Sequence, residues 1–125
     1  MYHFLLVAAG GALGSGLRHL TNLAALRLLG PGFPWGTLTV NLVGGFLMGV
    51  FVELLARRFG GSAELRLFVA TGFLGGYTTF SAFSLDFAVL YERGALAQAF
   101  GYVAASVVFS IAALFLGMWL AKSLA

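Results

Sequence analysis

The side chains best suited to bind an ion lie in two apolar stretches of the sequence. Phe80 and Phe83 stand three residues apart, so on a helix they project from one face. Tyr102, Ser106 and Ser110 follow one another at a spacing of four residues, which places three hydroxyl groups in one stripe along a helix. Such a row of donors suits an anion that gives up its water. The alternative for each serine is a hydrogen bond to its own helix backbone.

Three further polar residues lie within apolar surroundings. Asn41 offers both a donor and an acceptor, and its alternative role is hydrogen bonding between helices. Arg18 either extends to the lipid headgroups or lines a vestibule that concentrates anions. Asp86 follows the glycine-rich stretch, about 10 Å from the midplane along a helix and near a pore mouth. The alternative for Asp86 is a partner for a nearby basic side chain.

Catalysis finds little support in the sequence. No second acidic residue stands near Asp86 at helical spacing, and no histidine accompanies a candidate nucleophile. The sequence also has no HExxH or GxSxG motif and no phosphate-cradling loop. The chain is therefore predicted not to be an enzyme, and passive permeation requires none of these features.

Composition places these residues in a membrane protein. The chain has 125 residues, of which 61% are hydrophobic and 9% are charged, whereas a soluble domain carries about 25% charged residues. The net charge of +3 is small and its basic residues lie in short loops, so nucleic acid binding is not expected. There are no cysteines, which excludes disulfides and thiolate chemistry.

Four segments reach the length that crosses a bilayer, for which about 20 apolar residues suffice. They cover approximately residues 3–29, 33–56, 65–91 and 95–121. The connecting loops are short, so neighbouring helices are antiparallel. The sequence therefore predicts an all-α membrane protein, with residues 1–125 forming one domain of four transmembrane helices.

The third segment contains a stretch in which a helix should fail. The sequence GFLGGYTTFSAFS, residues 72–84, holds three glycines and the pair Thr78 and Thr79. Each glycine lowers helix stability by about 1 kcal/mol relative to alanine. Non-helical backbone survives at membrane depth only where it is buried in protein or lines a cavity. We therefore predict a break near residues 75–79, close to the midplane, and a functional site beside it.

A second copy of the chain is the simplest cover for such a break. Basic residues near the segment ends number four on one side and two or three on the other, a bias weak enough to permit both orientations. An inverted copy would supply the two opposed halves that many transport proteins place around their site. Three GxxxG pairs permit close helix approach, either between subunits or within the chain. They are Gly10 with Gly14, Gly45 with Gly49, and Gly72 with Gly76.

Several strings together indicate a family. GTLTVN at residues 36–41, GFLGGYTTFSAFS at 72–84, GGALGSGLRH at 10–19 and the serine stripe of the fourth segment closely resemble the small CrcB/Fluc fluoride channels. The resemblance covers essentially the whole chain. It implies a fluoride-selective channel in a bacterial cell membrane, which lowers cytoplasmic fluoride by passive efflux. It also implies an antiparallel, dual-topology homodimer with two pores and a structural sodium ion at the dimer interface.

The resemblance also assigns roles to individual residues. The backbone carbonyls of Gly75 and Thr78 would hold the sodium ion, and Arg18 would match a vestibule arginine. The pore residues would be Asn41, Phe80, Phe83, Tyr102, Ser106 and Ser110. Departures from the family pattern are Ala82 in place of a common threonine, Gly45 in place of a frequent serine, and His19 where tyrosine often follows the arginine.

Three other classes of membrane protein remain open at the level of sequence. A cation channel would use the same carbonyls, but it usually has acidic rings at its mouths, and Asp86 stands alone. A proton-coupled antiporter would need a carboxylate near the membrane centre, which the first two segments lack. A subunit with only an assembly role would need no aligned polar side chains.

Overall fold

The computed structural model describes residues 1–124, and all its regular structure there is helical. Helix α1 covers Tyr2–Leu29, α2 covers Trp35–Arg58, α4 covers Ser81–Glu92 and α5 covers Leu96–Leu124. The helix that we label α3 has three consecutive parts: Ala63–Leu65, the π-helical Arg66–Leu74, and Gly75–Tyr77. These bounds lie close to those expected from the sequence, with α3 and α4 together corresponding to the third segment.

The chain leaves the helix at Thr78. The α-helix ends at Tyr77 and resumes at Ser81, and Thr78 between them is extended, with φ −83° and ψ 162°. The break was expected near residues 75–79, but Gly75 and Gly76 remain helical, and the interruption covers residues 78–80. Gly76 instead packs against α1, where a Cβ atom would lie 2.7 Å from the carbonyl oxygen of Gly11. Tertiary packing of this kind overrides the low helix propensity of glycine.

Glycines bring two pairs of helices into backbone contact. On α1, a Cβ atom at Gly10 or Gly14 would collide with the backbone of α3 at Phe68 or Phe73. Between α2 and α5, Gly49 meets the carbonyl group of Leu114. The predicted GxxxG pairs thus serve packing within the chain, which was one of their two expected uses.

Among the described residues, three stretches are long and apolar enough to cross a membrane: Trp35–Arg58, Ala63–Glu92 and Leu96–Leu124. Helix α1, with 28 residues, is also long enough, but it carries Arg18, His19 and Asn22 and is less apolar. Its transmembrane placement therefore stays a prediction. Large apolar side chains such as Phe115 and Trp119 are exposed on α5, as expected for a surface that contacts lipid.

Ion pairs fix which helix ends lie together. Glu53 accepts from Arg57 at 3.0 Å and lies 3.7 Å from the Nζ atom of Lys122, so the carboxyl ends of α2 and α5 are neighbours. At the opposite end, Arg93 and Leu26 line a common cavity. Consecutive long helices therefore run antiparallel, as the short loops predicted. We refer below to the end that carries Arg57 and Lys122 as the basic end.

The α1–α3 contact yields a test of stability. We expect Gly14→Ala to destabilise the protein by about 1–3 kcal/mol, because the new methyl group would meet the backbone of Phe73 and Tyr77, which cannot move aside. Thermal unfolding in detergent, followed by circular dichroism, measures the effect. Gly16→Ala on the same helix is the control, since nothing beyond its own turns of helix lies within 4 Å of its Cβ position. Equal unfolding midpoints for the two variants would contradict the packing described.

Candidate functional site

Asn41 of α2 forms hydrogen bonds with both backbone polar groups of Thr79, which lies in the interruption between α3 and α4. Its Nδ2 atom donates to the carbonyl oxygen of Thr79 at 3.0 Å, and the backbone N–H of Thr79 donates to its Oδ1 atom at 2.9 Å. The interhelical hydrogen bonding left open by the sequence is therefore present. A side-chain amide carries two N–H donors, so one of them remains for another partner.

Each threonine of the interruption closes one helix end. The Oγ1 atom of Thr78 donates to the carbonyl oxygen of Leu74 at 3.0 Å, at the end of α3. The Oγ1 atom of Thr79 accepts from the backbone N–H of Ala82 at 3.1 Å, at the start of α4. Sequence reasoning missed this role of Thr79. A threonine three residues before a free helical N–H is the signal that could have revealed it.

Several carbonyl groups near the interruption remain free, and those of Gly75 and Thr78 are among them. Within residues 1–124, the carbonyl oxygens of Gly75 and Thr78 accept no hydrogen bond. Oxygen atoms of this kind suit a hard cation. No group of three or more His, Cys, Asp or Glu side chains that could hold a metal occurs in the described chain, so a cation here would depend on main-chain oxygens. The residues therefore fit the sodium site, which stays a prediction.

A cavity of about 540 Å³, the main cavity, lies beside the interruption between α2, α3, α4 and α5. None of the described residues that line it is charged. The predicted site residues that line it are Asn41, Gly75, Thr78, Phe80, Phe83, Ser106 and Ser110. The structure thus brings together seven residues from distant parts of the sequence.

The two serines of the main cavity have no partner. The Oγ atoms of Ser106 and Ser110 are buried and form no hydrogen bond with the described part of the chain. The alternative in which they bond to their own helix is therefore absent. Buried polar groups are nearly always paired, and an unpaired one costs about 1–3 kcal/mol. Two unpaired hydroxyls one helical turn apart indicate a place for a ligand.

Aromatic rings lead away from the main cavity. The ring centroids of Phe80 and Phe83 are 5.5 Å apart, and those of Phe83 and Tyr102 are 5.2 Å apart. Phe33, from the loop between α1 and α2, meets Tyr102 from another direction, edge to face at 5.5 Å. Tyr102 belongs to the predicted stripe but is fully buried and does not line the main cavity.

The hydroxyl of Tyr102 donates to the Oδ2 atom of Asp86 at 3.0 Å. Asp86 therefore pairs with a phenol and not with a basic side chain, which was the alternative at the level of sequence. Sequence reasoning named both residues but did not connect them. The available signal was that a buried tyrosine hydroxyl usually finds a hydrogen-bond partner.

Arg18 and Asp86 line two other cavities. Arg18 shares a cavity of about 510 Å³ with Thr79 and Ser81, so it lies beside the interruption. Asp86 shares one of about 450 Å³ with Arg93. Because Thr79 also lines the main cavity, the interruption separates that cavity from the space near Arg18. Their roles in a vestibule stay predictions.

Comparison with known proteins gives consistent matches over the whole chain. The model of the family described as CrcB-like protein, Camphor Resistance (CrcB), matches residues 5–118. A protein of Mesorhizobium japonicum is 65% identical over 124 residues, and one of Chelativorans is 63% identical over 124 residues. A third, from Agrobacterium fabrum, is 56% identical. Each match covers 99% of both chains, and each relative is named fluoride-specific ion channel FluC.

The hydrogen bonds of Asn41 can be tested directly. Asn41→Leu keeps a similar side-chain size and leaves the N–H and C=O groups of Thr79 unpaired, at about 1–3 kcal/mol for each group. We expect amide hydrogen exchange at residues 78–80 to become more than about tenfold faster. Thr39→Val on the same helix is the control, because Thr39 forms no side-chain hydrogen bond within the described chain. Exchange at the wild-type rate in Asn41→Leu would show that other contacts hold the interruption.

Proposed function

The chain belongs to the CrcB family, and from that premise we propose that it is a fluoride-selective ion channel. It lets fluoride leave the cytoplasm passively and so lowers the concentration of the ion there. Relatives named fluoride-specific ion channel match this chain over 99% of their own length. An ion channel of this family is not an enzyme, which agrees with the lack of catalytic motifs in the sequence.

The observation that carries the proposal is the pair of unpaired hydroxyls at Ser106 and Ser110 in an uncharged cavity. Fluoride is small and strongly hydrated, so a pore must replace its water with N–H and O–H donors. The two serines offer such donors, and the second N–H of Asn41 offers another. None of these groups carries a full positive charge, which allows the ion to leave again.

The phenylalanines supply a second kind of contact. The edge of an aromatic ring is the positive part of its quadrupole, so it attracts an anion weakly. Phe80 and Phe83 both line the main cavity next to the serines. A narrow path of hydroxyls and ring edges favours an ion that gains most from short hydrogen bonds, which is the basis we propose for selection against chloride.

The other classes are less well supported. A cation channel is disfavoured because the main cavity has no acidic lining and the carboxylate of Asp86 accepts from Tyr102. That engagement also leaves Asp86 poorly placed as the proton carrier of an antiporter. A purely assembling subunit gives no reason to bury two unpaired hydroxyls.

We further propose that two chains associate in opposite orientations in the bacterial cell membrane. Gly75 is exposed in the single chain, and its carbonyl oxygen accepts no hydrogen bond within residues 1–124. Phe80, on the far side of the interruption, is 77% exposed. Lipid cannot satisfy such a surface, whereas a second chain can. The GxxxG glycines do not contribute to this argument, because they are used within the chain. A sodium ion between the two chains would be held by the free carbonyls of Gly75 and Thr78.

Efflux from liposomes tests the channel and its donors together. The wild-type protein should release fluoride rapidly and chloride far more slowly. Ser106→Ala combined with Ser110→Ala should reduce fluoride efflux by about tenfold or more, because hydrogen bonds to a charged group contribute about 1.5–3 kcal/mol. The thermal stability of this variant should be unchanged or raised, since two buried unpaired groups are removed.

Ser123→Ala is the matched control for the serines. Ser123 lies on the same helix, but its Oγ atom donates to the carbonyl oxygen of Trp119 and is outside the main cavity. Its fluoride efflux should equal that of the wild type. Comparable chloride and fluoride efflux from the wild type would reject the channel proposal, and full efflux from the double variant would reject the role of the serines.

The sodium proposal has its own test. Protein purified and reconstituted without sodium, with potassium as the only monovalent cation, should show a smaller dimer fraction and slower fluoride efflux. Binding to the associated form alone stabilises that form by mass action, and removal of the ion reverses the effect. Cross-linking in liposomes measures the dimer, and the efflux assay measures the function. Unchanged values for both after sodium removal would argue against a structural sodium ion.

A further inference from the structure

A second cavity lies next to the main cavity, on the side of the basic end. This outer cavity has a volume of about 340 Å³ and lies between α2 and α3. Met48 lines both cavities, so it stands at the boundary between them. Thr71 and Arg66 of α3 line the outer cavity farther from the interruption.

We propose that the outer cavity is the part of the fluoride path that joins the main cavity to the basic end. The thioether of Met48 forms the boundary, and Thr71 and Arg66 line the exit. This inference rests on the proposed channel function. It assigns a route beyond Ser110, where the stripe of hydroxyls on α5 ends and apolar residues follow.

Free polar groups in the outer cavity support the assignment. Thr71 is exposed, and its hydroxyl forms no hydrogen bond within residues 1–124. Arg66 is also exposed and has no ion-pair partner among the described residues. Its neighbours at the basic end are engaged: Arg57 donates to Glu53, and Arg58 lies 3.4 Å from the carbonyl oxygen of Leu124. Arg66 is therefore a cation at this end with its full charge available to an anion.

The two ends of the outer cavity perform different tasks. Arg66, in an exposed position, raises the local concentration of anions at the mouth. Met48 is unbranched and flexible, so it can move aside without offering a charge that would hold the ion. The sequence of groups from the basic end is thus a charged mouth, a neutral hydroxyl, a mobile apolar boundary and the serine donors.

The remaining walls are apolar, which also suits the acyl chain of a lipid. Phe51, Val52 and Leu55 of α2 form them. A lipid-filled cavity would exclude water and charged reagents, whereas an ion path must admit both. Chemical labelling in the membrane separates the two occupants.

The absence of cysteine from the sequence permits a single-site experiment. The Thr71→Cys protein, reconstituted in liposomes, is treated with the anionic reagent sulfonatoethyl methanethiosulfonate. We expect modification of the thiol and a fall of about tenfold in fluoride efflux, because the added sulfonate repels the anion inside a confined path. Val108→Cys, an exposed apolar position on α5 outside both cavities, is the control and should remain unmodified in the membrane.

A second pair of variants tests the mouth without cysteine. Arg66→Gln should lower fluoride efflux about threefold at low ionic strength, and the difference from the wild type should shrink as salt screens the charge. Arg58→Gln makes the same charge change at the same end but outside the outer cavity, and it should have little effect. This pair carries the test even if Thr71→Cys does not fold.

The outcomes separate this inference from the channel proposal. An unreactive thiol at residue 71 in a protein that conducts fluoride normally would overturn the path and favour lipid, while the channel function stands. Equal efflux from Arg66→Gln and Arg58→Gln at low salt would also overturn it. Absence of fluoride efflux from the unmodified wild type would instead reject the channel function itself.

Discussion

The pairing of the Thr79 peptide by Asn41 is the interaction on which the site depends. An apolar environment leaves no water to satisfy a peptide group that has left its helix, so such a group must find a partner in the protein. Asn41 satisfies both the N–H and the C=O of Thr79 from a neighbouring helix. Thr78 and Thr79 then close the two helix ends with their own hydroxyls. The interruption is consequently a defined structure, and the side chains after it begin a new helix in a fixed direction.

Close helix packing holds this arrangement in place. Asn41 reaches Thr79 only because α2 lies against the interruption, and Gly44, one turn further on, leaves room for the methyl group of Thr78. On the other side of α2, the contact of Gly49 with Leu114 fixes α5, which carries the serines. Few large side chains are fully buried, so the fold gains its order from backbone contact through glycine more than from a large apolar core. Because few large side chains fill the interior, space remains beside the interruption for the main cavity.

Much of this organisation could be predicted from the sequence because the relevant signals are local. Apolar segment lengths predict the long helices, and glycine and threonine at residues 72–79 indicate where the helix of the third segment is interrupted. Two features were not accessible in this way. The helix continues through Gly75 and Gly76, and α1 packs against Gly76, which is a tertiary effect. The pairing of Tyr102 with Asp86 joins residues of different helices, and no spacing rule connects them. Roles for individual pore residues came from family resemblance, and the structure shows only that most of them share one cavity.

The groups left unpaired are as informative as those that are paired. Asn41, Thr78 and Thr79 form the hydrogen bonds that close the interruption. The hydroxyl donors of Ser106 and Ser110 and the carbonyl acceptors of Gly75 and Thr78 have no partners within the described chain. Donors attract an anion and acceptors attract a cation, so the same interruption can serve both without a charged side chain in the cavity. In our proposal the cation is structural and the anion is mobile. A fixed cation would raise the potential for an anion nearby, while the neutral donors determine which anion can shed its water. Strength of attraction and choice of ion would then depend on different atoms, which allows a pore to be selective and still release what it binds.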